Sequence, residues 1–210
     1  MSLEGFTNLS ALEIADFIGI ISFALSGFLI AVHHKLDILG IVITAFLTAL
    51  GGGMTRDIIA NKAPYIFTNA LPVGLVIGTV LIAILFKLHK ITDIEGKTAF
   101  VISDTIGLIS FSITGALIAI EVEFNFVGVL LLALITAIGG GTIRDVIVNR
   151  MPAFLISDFY GSVALITATI IYALNYFDQI TFFNLLITFV FGICLRLLAY
   201  YKQWHLPKLS

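Results

Sequence analysis

The sequence predicts an all-α integral membrane protein with seven transmembrane helices: two inverted three-helix repeats plus a seventh helix. Three observations carry this expectation. Of the 210 residues, 60% are hydrophobic and 11% charged, and the mean hydropathy is +1.12, far above that of a soluble domain. The apolar residues fall in continuous runs of about 20, the length that crosses a bilayer, not in the alternation of a membrane barrel. Two segments of the chain, 88 positions apart, are also nearly identical.

The first run, at about residues 14–33, follows Glu4 and Glu13. It is too long for a signal-peptide core and lacks a basic start. The second and third runs lie at about 38–61 and 69–88, the fourth and fifth at about 100–120 and 126–149, and the sixth and seventh at about 154–174 and 180–200. So little chain lies between them that no soluble catalytic domain is expected. The whole of 1–210 reads as one transmembrane domain, with repeat 1 at about 14–88 and repeat 2 at about 100–174. Cys194 stands alone, so neither an internal disulfide nor a thiol metal site is suggested.

Seven crossings put the termini on opposite faces. Lys35, Lys87, Lys90, Lys97, Arg150, Lys202 and Lys208 collect on one face, while the other holds Lys62 with Glu121, Glu123 and Asp178. The positive-inside rule then places the N-terminus outside the cell membrane and the C-terminus in the cytoplasm. His205, Tyr200, Tyr201 and Trp204, at the end of the seventh run, read as interfacial residues.

The duplication extends well beyond its most obvious motif. A shift of 88 aligns residues 16–67 with 104–155 without a gap, with 22 of the 52 positions identical. An odd number of helices per copy makes the second copy cross the membrane upside down, with a pseudo-two-fold axis in the membrane plane. The seventh helix is left over and reads as a support or oligomer-contact element.

The centre of each copy is a glycine triplet followed by an Arg-Asp pair: Gly51, Gly52 and Gly53 before Arg56 and Asp57, and Gly139, Gly140 and Gly141 before Arg144 and Asp145. Asn61 and Pro64 follow the first, Asn149 and Pro152 the second. Three consecutive glycines weaken a helix and leave its backbone uncovered. At mid-membrane depth this favours a bend whose carbonyls line a pathway. Close helix packing through small residues is the alternative.

A charge at this depth needs a partner. Arg56 and Asp57 are neighbours on a helix, about 100° apart, so they are expected to look elsewhere. The matching acids are Asp16 and Asp104, giving an outer Asp16–Arg56 contact and an inner Asp104–Arg144 contact; a crossed pairing of Arg56 with Asp145 is disfavoured. These charges either mark an ion route or staple helices together. Ser22 and Ser26, matched by Ser110 and Thr114, form hydroxyl stripes at i, i+4 that could hydrate a passing cation or bond to helix backbone. Thr44, Thr48 and Thr55 make a weaker stripe. No phosphate loop, metal-ligand cluster or catalytic triad is present, so neither an enzyme nor a bound cofactor is expected.

The paired GGG-x-x-R-D segments, each followed by N-x-x-P, in two three-helix repeats plus one helix, resemble the prokaryotic trimeric intracellular cation (TRIC) channels. The resemblance covers Asp16 to Tyr200. It implies a homotrimer in a lipid bilayer, each subunit with its own hourglass pore for the monovalent cations K⁺ and Na⁺ and no nucleic-acid partner. It also implies that helices two and five bend at the two triplets, with Arg56, Asp57, Arg144 and Asp145 near the constriction or its gates. The Lys-Glu-Val type motif of animal members is absent. A related bacterial domain is named for glycine transport, and inverted repeats also suit alternating access. A secondary transporter for a small solute such as glycine is therefore the alternative.

Overall fold

The computed structural model describes residues 3–90, 93–156 and 159–204, so Lys208 and His205 lie outside the described residues. The helices among these are α1 (Leu3–His33), α2 (Ile38–Ile59), α3 (Tyr65–Thr68), α4 (Leu71–Leu85), α5 (Asp93–Glu121), α6 (Phe126–Ile147), α7 (Ala153–Ile156), α8 (Tyr160–Tyr176) and α9 (Phe182–Tyr201), with a 3₁₀ turn at Leu88–Lys90. Five are long and apolar enough to cross a membrane: α1 from Ala11, α2, α5 from Lys97, α6 and α9. The shorter apolar helices α4 and α8 bring the total to the seven expected.

The helix limits follow from local chemistry. Asp37 Oδ1 accepts from the Gly40 amide at 2.7 Å, and its repeat equivalent Asn125 accepts from Gly128 at 2.9 Å, capping α2 and α6. Both helices end alike. Asn61 (φ 55°) and Asn149 (φ 53°) take the left-handed conformation, and the Lys62 and Arg150 amides fold back onto the carbonyls of Asp57 and Asp145 at 2.8 Å. This is the Schellman arrangement, and asparagine is the side chain besides glycine that most readily accepts it.

The third crossing of the second repeat differs from the expectation of one continuous helix from about 154, whereas that of the first repeat, α4, falls within the expected 69–88. The repeated proline starts a four-residue helix, α3 or α7, ahead of the longer one. The sixth span therefore begins at Tyr160, not near 154, after Phe159 turns left-handed at φ 61°. Unlike asparagine, phenylalanine carries no cue for that turn.

The core lies where the repeats meet. Helix α1 packs on α5 and α2 on α6, with α1·α2 and α5·α6 completing a four-helix centre. Phe23 and Phe111, equivalent residues of the two copies, meet edge to face at 5.3 Å. Each ring sits on the other repeat's glycine, Phe111 over Gly19 and Phe23 over Gly107, so the pseudo-two-fold passes between them. Helix α9 packs on α8 and α5 of the second repeat, with Gly192 close against Ile109 and Thr167. At the rim, Lys62 Nζ pairs with Glu121 at 2.7 Å, which puts the C-terminal ends of α2 and α5 on one face.

Candidate functional site

Helices α2 and α6 cross at their glycine triplets. A side chain on Gly52 would run into the Thr136 carbonyl, and one on Gly140 into the Thr48 carbonyl. Gly139 faces the Gly52 Cα, and Gly51 faces Ile143. Both helices run unbroken through the triplets. These glycines let two backbones touch, because any Cβ would hold the helices apart, so the close packing named as the alternative is present at this crossing. The third glycines differ. Gly53 and Gly141 look toward Arg56 and Arg144, whose Nη2 atoms would lie 3.9 and 3.6 Å from an added Cβ.

One turn beyond, each arginine is buried in a web of oxygens. Arg56 Nη1 donates to Asp16 Oδ1 at 2.6 Å and to Thr114 Oγ1 at 2.9 Å, and Nη2 donates to Asp16 Oδ2 at 3.1 Å. Arg144 Nη1 donates to Asp104 Oδ1 and to Ser26 Oγ, both at 2.5 Å. The Asp16–Arg56 and Asp104–Arg144 contacts expected from the sequence are therefore formed, and no Arg56–Asp145 contact is found among the described residues.

One expectation is corrected. Arg56 Nε also donates to Asp57 Oδ1, and Arg144 Nε to Asp145 Oδ1, each at 2.9 Å. The Cβ vectors of neighbours diverge, but the long arginine stem curls back so that Nε reaches the adjacent carboxylate. The second oxygen of each aspartate then accepts a backbone amide after the proline, Tyr65 for Asp57 and Ala153 for Asp145, both at 2.9 Å. This explains the spacing of the whole motif. Arginine braces two helices, aspartate orients it, asparagine ends the helix, and proline turns the chain back onto the aspartate.

The hydroxyl stripes divide. Ser26 and Thr114 each cross to the other repeat's arginine, whereas Thr48 and Thr55 bond back to their own helix, to the carbonyls of Thr44 and Gly51. Ser22 is buried, and Ser110 Oγ and Thr44 Oγ1 are buried without a hydrogen-bond partner. The charges thus join the two repeats, since Arg56 and Arg144 each contact both.

Two residues of the inner network had no role in the sequence reading. Tyr160 Oη donates to Asp104 Oδ2 at 2.7 Å, and Arg196 of α9 lies 4.8 Å over the Tyr160 ring. Arg196 could have been found as a charge inside the seventh apolar run. Tyr160 could not, because its repeat equivalent is Pro72. Around Arg56 the same region is a small recess lined by Asp16, Asp57, Tyr65, Pro72 and Phe111 among others. No group of three or more His, Cys, Asp or Glu residues able to hold a metal occurs among the described residues.

Comparison with known proteins gives the same duplication. A family model described as glycine transporter matches the chain twice, over residues 13–88 and 101–176. The chain is 32% identical over 200 residues to the UPF0126 membrane protein YvgT of Bacillus subtilis, covering 95% of this chain and 97% of that one. It is 28% identical over 197 residues to the UPF0126 inner membrane protein YadS of Escherichia coli, covering 91% of each. Among solved structures it superposes on a prokaryotic TRIC channel in 0.5 M KCl with TM-score 0.84 and 31% identity, over 93% of this chain and 98% of that one. A structure addressing conductance through TRIC cation channels matches with TM-score 0.80 and 30% identity, over 94% and 97%. The TRIC orthologue of Rhodobacter sphaeroides matches with TM-score 0.84 and 25% identity, over 92% and 98%. The chain belongs to the multi-pass membrane family that the glycine transporter model describes, that of the UPF0126 proteins, and it has the fold of the TRIC channels.

Proposed function

We propose that this protein is a monovalent-cation channel, passing K⁺ and Na⁺ through a pore within each subunit of a homotrimer. The observation that carries the reading is the fold shared with a prokaryotic TRIC channel over 93% of the chain at 31% identity. The arrangement of charges supports it, because buried arginines and aspartates inside membrane spans commonly mark an ion route. The path runs from the outer recess at Arg56 and Asp57, past the crossing of α2 and α6, to the inner cluster at Arg144 and Asp145. In this reading the contact of Gly52 and Gly140 with the opposing backbone closes the midplane, and opening separates α2 from α6. Ser22, Ser26, Ser110 and Thr114 would replace part of the ion's hydration as it passes. The N-terminus faces outside the plasma membrane, by the distribution of lysine and arginine.

A second reading is a carrier for a small solute such as glycine. It is supported by the description of the matching family model and by the inequality of the two halves, Pro72 beside the Arg56 recess in one and Tyr160 bonded to Asp104 in the other. Single-channel recording of the purified protein in a planar bilayer under asymmetric KCl separates the two. Discrete steps with a cation-selective reversal potential are expected. Silent bilayers, together with saturable glycine uptake into proteoliposomes, would replace the channel with the carrier.

A further inference from the structure

The two repeats hold the same Asp, Arg and Asp but use them differently, and the difference traces to one position. Where the first repeat has Pro72, the second has Tyr160, 88 residues on. Beside proline, both oxygens of Asp16 are left to Arg56, giving a fork of two bonds at 2.6 and 3.1 Å. Beside tyrosine, the phenol takes Asp104 Oδ2 at 2.7 Å, and Arg144 reaches only Oδ1. Arg144 Nη2 is then buried without a hydrogen-bond partner, on a side chain with 0% exposure. Gly141 leaves this atom uncovered, because an added Cβ would lie 3.6 Å from both Arg144 Nη2 and Tyr160 Oη. Arg196, over the ring, and the packing of α8 keep Tyr160 in place.

We propose that Tyr160 is a positioning residue that divides Asp104 between two donors, making the inner ion pair the weaker of the two and the one that opens first. A two-armed arginine–carboxylate fork is the stronger arrangement, whereas a buried N–H left unmade carries its full desolvation cost. The order of opening rests on the channel reading; the weakening of the pair does not.

The test is Tyr160→Phe, which keeps the ring under Arg196 and returns Asp104 Oδ2 to Arg144. The melting temperature in detergent should rise by about 2–4 °C, and the open probability in bilayers should fall about tenfold, as expected for one regained bond between charged groups. Pro72→Tyr, which brings a phenol to the outer pair, should lower the melting temperature. Arginine-selective ¹⁵N NMR adds a readout that packing alone would not move: in Tyr160→Phe the Arg144 Nη signals should approach those of Arg56. A residue that only adds a hydrogen bond would give a lower melting temperature in Tyr160→Phe, and that result, or Arg144 signals that stay in place, overturns the proposal. Silent wild-type bilayers with a stabilised Tyr160→Phe would remove the channel reading and leave the divided carboxylate standing.

Discussion

Alanine at Gly52 and alanine at Gly53 should move stability in opposite directions, although the positions are adjacent and on the same helix. A Cβ at Gly52 would approach the Thr136 carbonyl oxygen far inside 3.0 Å, a separation that real Cβ atoms essentially never show. The obstacle is backbone on an opposing helix, so no side chain can rotate away, and α2 and α6 must part. Overpacking of this kind costs roughly 1–3 kcal/mol. Exchange of glycine for alanine inside a helix returns about 0.5–1 kcal/mol, so the net loss is at most about 2.5 kcal/mol. At Gly53 the nearest atom to an added Cβ is Arg56 Nη2 at 3.9 Å, an ordinary contact. Only the helix gain remains there, and the change should stabilise by about 0.5–1 kcal/mol. For a chain of this size 1 kcal/mol corresponds to about 2–4 °C. Thermal melts in one detergent should therefore show Gly52→Ala lower by up to about 10 °C and Gly53→Ala higher by about 1–4 °C. Gly140→Ala should behave like Gly52→Ala, because its Cβ would meet the Thr48 carbonyl. Equal melting temperatures for Gly52→Ala and Gly53→Ala would refute the argument that backbone contact, rather than helix bending, explains the triplet.

Weakening the Asp16–Arg56 pair with Asp16→Asn should destabilise by about 1–3 kcal/mol, since Arg56 loses a charged two-bond partner while keeping Asp57; the double exchange Asp16→Arg with Arg56→Asp should recover part of the loss, and a melt showing no recovery would count against a direct pairing. Asn61 holds φ 55°, so Asn61→Ala should cost about 1–2 kcal/mol while Asn61→Gly should be close to neutral; chemical or thermal melts of both variants check this. The Lys62–Glu121 pair is half exposed, with side chains 34% and 57% accessible, and Lys62→Ala should change stability by less than about 1 kcal/mol.

The spans and the arginine pairs were readable from sequence because hydrophobic length and burial of charge impose simple rules. A run of about 20 apolar residues has few other uses, and an arginine inside it must find an acid. The 88-residue repeat then matched each acid to its arginine: Asp16 with Arg56, and Asp104 with Arg144. The curl of Arg56 onto Asp57 was not readable, since helix geometry places Cβ atoms and says little about the end of a long side chain. The break between α7 and α8 was also missed, because the apolar run at about 154–174 continues through it and hydropathy does not register a change of direction.

The sequence by itself determined that this is a membrane protein of seven spans, that it is built from two opposed copies of one unit, and which charges must meet inside it. All three follow from periodicity and from the cost of burying polar groups in lipid. Only the tertiary structure decided what the glycine triplets do and how the two copies differ. Whether a glycine triplet admits a neighbouring helix depends on what lies across from it, and here it is the backbone of Thr136 and Thr48. Whether Asp104 serves one donor or two depends on where Tyr160 points, and a single aromatic residue outside the repeated pattern gives no sign of that until α8 is folded against α5 and α6.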